Sequence, residues 1–194
     1  SFSNPIFIQL IGGLIVPFIL LLPLFVSMSV ITDSMVGEKE KKTLENLLVS
    51  PLKNWEIALG KIVPTAGLAF IQSFAWLAII MSQGVPLFNL PELFLMVAIL
   101  SFTFVEIGIL LSSVSKDIRQ AGLLNAAFGI SVTIIFLTPA GLSSILPIPS
   151  SIISKTATNM VLDSAAYWLV NGTLVIGGIV FFALTNRAVG KLRR

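Results

Sequence analysis

The sequence predicts an all-α, polytopic transmembrane helical bundle with five spans, an outside N-terminus and an inside C-terminus. Three observations lead there. The chain is 56% hydrophobic and only 11% charged, with a mean hydropathy of +1.00, whereas a water-soluble domain carries about 25% charged residues to cover its surface. The few charges fall in clusters separated by long gaps. Within those gaps apolar runs such as PFILLLPLFV and LVIGGIVFFAL lack the period-two alternation of a lipid-facing barrel strand.

Each gap defines a span. No charge precedes Asp33, none lies between Lys61 and Glu92, and only Glu106 lies between Glu92 and Lys116. The stretches 120–154 and 164–186 are uncharged. All meet the ~20 residues a helix needs to cross ~30 Å of hydrocarbon. Backbone in lipid must satisfy its own hydrogen bonds, so each gap is expected to be helical. The predicted spans are 6–31, 60–82, 92–113, 120–138 and 164–186 in one transmembrane domain, 1–194. The chain opens at Ser1 in apolar sequence, without a basic leader or a small-residue cleavage site. No signal peptide is expected, and a partial chain is the better expectation.

Lysine and arginine set the orientation. Lys39, Lys41, Lys42, Lys53 and Lys61 fall in or beside the first loop, Lys116 and Arg119 in the third, and Arg187, Lys191, Arg193 and Arg194 at the C-terminus. With alternating helices all of these share one side, and only Lys155 lies opposite. The positive-inside rule makes the crowded side cytoplasmic. A net charge of +3 in this distribution reports orientation, not nucleic acid, so no nucleic-acid partner is expected.

The absence of cysteine and histidine excludes disulfides, thiolate or imidazole metal sites and nucleophile–imidazole pairs. Gly60-Lys61 is followed by Ile62, and Gly190-Lys191 by Leu192, so neither forms a phosphate-binding loop. The chain is expected to bind no cofactor and to be no enzyme.

Two connecting segments carry further information. Residues 139–163 hold Pro139, Gly141, Pro147 and Pro149 among serines and apolar residues. That stretch is too apolar for a solvated loop and too broken for a span. Re-entrant helices or a plain interfacial loop both suit it. The cytoplasmic loop 33–59 contains GEKEKKTLENLLVSPLKNWEIALGK, Gly37 to Lys61. Glu38 is spaced to pair with Lys41 or Lys42. Leu44, Leu47 and Leu48 share one helical face, Pro51 ends that helix, and Asn54 is placed to cap the next, with Glu56 in its first turn. A leucine-faced helix beneath the bilayer lies in the headgroups or docks on a partner.

The pattern E-K-x-K-K-T-L-E-N-L-L-x-S-P-L-x-x-x-E-I-x-x-G-K resembles the signature loop of the type-2 ATP-binding-cassette (ABC) permeases. Its matching residues are Glu38, Lys41, Thr43, Leu44, Glu45, Leu48, Ser50, Pro51, Glu56, Ile57, Gly60 and Lys61. The resemblance implies that the loop holds a coupling helix docked on a nucleotide-binding ATPase subunit, which carries the ATP and magnesium. It also implies a second permease copy or related permease in a dimer, a plasma-membrane location and export of a substrate whose identity the sequence leaves open. SKDIRQA (Ser115 to Ala121) resembles the family's short cytoplasmic loop, and 139–163 falls where the family has re-entrant helices. The family's usual first span has no counterpart here. A non-transporting membrane relay of ATPase motion and an ATP-independent transporter or channel are the alternatives.

Glu106, within FVEIGILL, is the one ionisable residue inside a span. A charge facing lipid there costs about 2.5–3.5 kcal/mol, so the residue is expected to face the bundle interior, be protonated or pair with a neighbour. It reads either as a contact on the export path or a proton-sensitive gate, or as an interhelical hydrogen bond. Gly12-Gly13, Gly122 with Ala126, and Gly177-Gly178 are candidate close-contact positions. Tyr167 and Trp168 are read as interface anchors.

Overall fold

The computed structural model describes residues 15–41, 53–85, 87–136, 152–153, 155–156 and 164–192. It contains five long helices: α1 (Val16–Glu40), α2 (Asn54–Ser82), α3 (Leu90–Val114), α4 (Ile118–Phe136) and α5 (Ser164–Leu192). Each is long and apolar enough to cross a membrane, and the described residues include no strand. The chain is thus a multi-pass helical membrane protein.

Helix ends differ from the charge gaps in instructive ways. The first helix continues past residue 31 through Asp33 and Glu38 to Glu40. Its last turns carry charged side chains without breaking, because polar residues are good helix formers once the helix leaves hydrocarbon. The second helix begins at Asn54, six residues before the predicted span. Its N-cap is Lys53, in extended conformation, and not Asn54. The Lys53 N–H donates to Glu56 Oε2 at 2.7 Å. A glutamate three residues into a helix reaches back to the cap N–H, so Glu56 fixes the start at Lys53.

α3 is the core of the bundle. It packs on α1, α2, α4 and α5, while α1 also packs on α2 and α4. One apolar cluster joins Leu20, Leu24 and Met28 of α1 to Leu93, Met96 and Leu100 of α3. A second, nearer the charged helix ends, joins Ile31 and Met35 to Ile57, Ile62 and Ile109. By contrast, α4 and α5 leave Leu123, Ile130, Ile134, Ile176 and Ile179 mostly exposed, as lipid-facing helices do. Several hydroxyls inside the spans are absorbed by the preceding turn, as where Ser73 donates to Ala69 O at 2.9 Å and Ser101 to Val97 O at 2.7 Å.

Among the described glycines, Gly108 lies most tightly against another helix. A methyl group there would sit 2.5 Å from Ile31 Cγ2 and 2.7 Å from Met28 O. Beside it, the Thr32 hydroxyl lies 2.7 Å from Met28 O, 3.0 Å from Gly108 O and 3.3 Å from Asn125 Oδ1, joining α1, α3 and α4. The glycines singled out by sequence behave differently. Nothing approaches Gly122 or Gly177 within 4 Å, Gly178 is in ordinary contact with α3, and Gly12-Gly13 lies outside the described residues.

Of the 139–163 stretch, Ile152, Ile153, Lys155 and Thr156 are described and helical. Ile152 and Ile153 are buried in the first apolar cluster, and Thr156 O accepts from Asn89 Nδ2 at 3.3 Å. Tyr167 is not an interface anchor: it is buried, and its hydroxyl donates to Glu92 O at 2.8 Å. Burial of the ring with a satisfied hydroxyl lets it pin the start of α5 to α3. Trp168 is exposed and meets the Tyr167 ring edge-on.

Candidate functional site

Three consecutive residues end α1 and each engages a different element. Lys61 Nζ donates to both carboxylate oxygens of Glu38, at 2.5 and 2.7 Å, tying α1 to α2. Lys39 Nζ donates to Ser112 O and Ser115 O, at 3.0 and 2.9 Å. These carbonyls lie at the C-terminal end of α3, where the helix dipole and unpaired carbonyls favour a cation. Glu40 Oε1 accepts from the Ile118 N–H at 3.0 Å, at the start of α4, where the dipole favours an anion. Both charges therefore have the sign their helix terminus prefers.

The turn these residues grip is itself capped. Asp117 Oδ1 accepts from Gln120 N–H at 2.7 Å, and Gln120 Oε1 accepts from Lys116 N–H at 2.8 Å. The two capping bonds hold Ser115–Asp117 as a tight connection between α3 and α4. Lys41 closes α1 through its N–H on Gly37 O, at 3.1 Å, with its side chain exposed.

Of the sequence-derived loop residues, Glu38 and Lys61 meet directly. Glu56 acts at the start of α2, and Lys41 ends α1. Thr43, Leu44, Glu45, Leu47, Leu48 and Pro51 lie outside the described residues. Glu38 pairs with Lys61, 23 residues away, a partner other than the Lys41 or Lys42 its spacing suggests; Lys42 lies outside the described residues. Lys39 and Glu40 were not singled out as site residues; nothing local in E-K-E indicates partners more than 70 residues downstream.

Glu106 faces the bundle interior, with only 6% of its surface exposed. Its Oε2 has no hydrogen-bond partner among the described residues, so the interhelical hydrogen bond expected of it is not made by that oxygen. Across from it, a methyl group at Gly178 would lie 3.6 Å from Glu106 Oε2 and 3.8 Å from Thr103 Oγ1. Glu106 and Thr103 belong to the wall of a groove of about 420 Å³ between α3 and α5, otherwise lined by apolar residues including Phe102, Leu174, Ile179 and Phe182. A second groove, about 550 Å³, lies between α1 and α4 and includes Asp33 and Asn125. The described residues include no cluster of acidic side chains able to hold a metal ion.

Comparison with known proteins gives this geometry a context. The model of the ABC-2 family transporter proteins matches residues 5–186. The chain is 33% identical over 110 residues to the probable multidrug ABC transporter permease YbhR of Escherichia coli strain K12, and equally to that of Escherichia coli O157:H7. The matched part is 55% of this chain and 30% of those relatives, so the chain spans less than a third of their length in the alignment. No solved structure matches the chain.

Proposed function

Because the chain belongs to the ABC-2 family of transporter proteins, we propose that it is the permease of an ABC exporter, moved by ATP hydrolysis on a separate nucleotide-binding subunit. The positive-inside distribution supports placing the α1–α2 and α3–α4 connections in the cytoplasm. There the segment 42–52, with Leu44 and Leu48, is the docking element for the ATPase, which carries the nucleotide and magnesium. A second permease copy, or a related permease, completes the pathway in the plasma membrane.

The observation that carries this reading is the charged collar at the end of α1. The docking segment leaves α1 beside Glu38, Lys39 and Glu40 and enters α2 at Asn54, about two turns before Lys61, and those residues bind α1 to α2, α3 and α4. A push on the segment reaches four helix ends at once. Driving a conformational change requires contacts that differ in free energy between two states, and a docked segment rooted in such a collar supplies a route for that difference.

Co-purification tests it. A nucleotide-binding ATPase should accompany the intact protein from detergent extracts, and Leu44→Asp or Leu48→Asp should abolish that association while leaving the protein in the membrane. Association that survives both substitutions would refute the docking role.

A further inference from the structure

We propose that the α3–α5 groove is a binding site for a lipophilic organic cation, with Glu106 as its anionic anchor. The inference concerns binding alone and holds whether or not ATP drives transport.

The groove combines three properties that select this ligand class. Its walls are otherwise apolar, and Phe102 and Ile179 remain 44% and 65% exposed on its rim, so it opens on the outer surface of the bundle. Its volume, about 420 Å³, lies within the range of small-molecule sites. Its polar wall is the Glu106 carboxylate, 6% exposed, with one oxygen lacking any donor among the described residues, and the Thr103 hydroxyl, which donates to Ile99 O at 3.0 Å and so offers Glu106 no proton. No lysine or arginine is among the groove's lining residues. A neutral apolar occupant would leave that acceptor unmatched, and an anion would be repelled.

A cation with an apolar body answers both demands. The hydrocarbon part fills the groove, and an amine or other cationic group supplies the missing charge and donor. Phe102 and Phe182 also line the groove, and aromatic faces attract cations. Gly178 completes the fit. Without a side chain there, the α5 backbone leaves the approach to Glu106 open, and even one methyl group would be in contact with the carboxylate.

The test is a fluorescence titration with ethidium, a planar cation carrying amine donors, on the purified protein in phosphatidylcholine nanodiscs, whose zwitterionic surface does not concentrate cations. Saturable binding is expected. Glu106→Gln should weaken it by roughly tenfold or more, the loss that removing one charge-assisted hydrogen bond entails, and Glu106→Asp should restore much of it. Phenanthridine, the uncharged ring system, should bind far more weakly and be insensitive to Glu106→Gln. Gly178→Val crowds the approach to Glu106 with the carboxylate retained and should weaken saturable ethidium binding by roughly tenfold or more, so the site remains testable if Glu106→Gln fails to fold. Absence of saturable binding to the parent protein, or equal binding by either variant, would overturn the proposal.

Discussion

Gly108→Ala is the smallest perturbation to which this bundle should respond strongly. The added methyl would sit 2.5 Å from Ile31 Cγ2, 2.7 Å from Met28 O and 3.0 Å from Thr32 Oγ1, against about 3.5–4.0 Å for a relaxed carbon contact. Ile31 is buried and Met28 O is backbone, so neither can step aside, and α1 and α3 must part by about 1 Å. Overpacking of this kind costs about 1–3 kcal/mol. Weakening the Thr32–Gly108 contact adds about 0.5–1.5 kcal/mol, and the better helix propensity of alanine returns up to about 1 kcal/mol. The net expectation is a loss of about 0.5–4.5 kcal/mol, read by tryptophan fluorescence during graded denaturation in mixed micelles. Gly122→Ala, with nothing within 4 Å, isolates the propensity gain and should be neutral or slightly stabilising. Equal stability of the two variants would refute the assigned crossing.

The charged collar makes further claims. Lys39→Met removes two hydrogen bonds to the end of α3 and should cost about 1–2 kcal/mol in the same unfolding assay, while Lys41→Ala, exposed in its side chain, should cost little; parity between them would count against the cap. A double-mutant cycle on Glu38→Gln and Lys61→Met should give a coupling energy of roughly 1 kcal/mol for this partly buried pair, and a coupling of zero would remove it as a structural tie. Because the sequence has no cysteine, single-site labelling is free of background: Asn46→Cys should react with an impermeant maleimide only after cells are permeabilised and Ser150→Cys without it, and the reverse pattern would invert the orientation.

What the sequence revealed follows from which forces are local. Spans are legible because lipid penalises charge wherever it occurs, and the gaps in charge therefore map onto helices without knowledge of any neighbour. Glu106 is legible for the same reason. The length of α1 is not, since Glu38 to Glu40 are excluded from hydrocarbon but not from a helix, and the gap criterion reports only the former. Gly108 cannot be told from Gly122 or Gly177 without knowing which face of α3 meets α1. Nearness to a span end makes Tyr167 look like an interface anchor, although its ring is buried. A better signal was present: Tyr167, Val170, Asn171 and Leu174 recur at helical spacing, and the first three are buried. Lys53 as cap was recoverable from Glu56, three residues on.

Successive residues on a helix point about 100° apart, and this explains why three consecutive charges can serve three neighbours. Only a helix with partners on most of its circumference can use Glu38, Lys39 and Glu40 in this way, and α1 packs on α2, α3 and α4. The last turn of α1 therefore cannot rotate without disturbing at least one of the contacts at Lys61, Ser112 and Ser115, or Ile118. Rotation being opposed, the motion left to a load applied at segment 42–52 is displacement of α1 together with the ends it holds. α5 packs instead on α3 and, less extensively, on α2. On the proposed reading, a displaced α3 slides against an α5 that the collar does not hold directly, and the surface between them is the one that contains Glu106 and Gly178. On that reading the helix ends held by the collar move as a block, and α5, which is joined to them through its packing on α3 and α2 alone, follows only as far as that packing carries it.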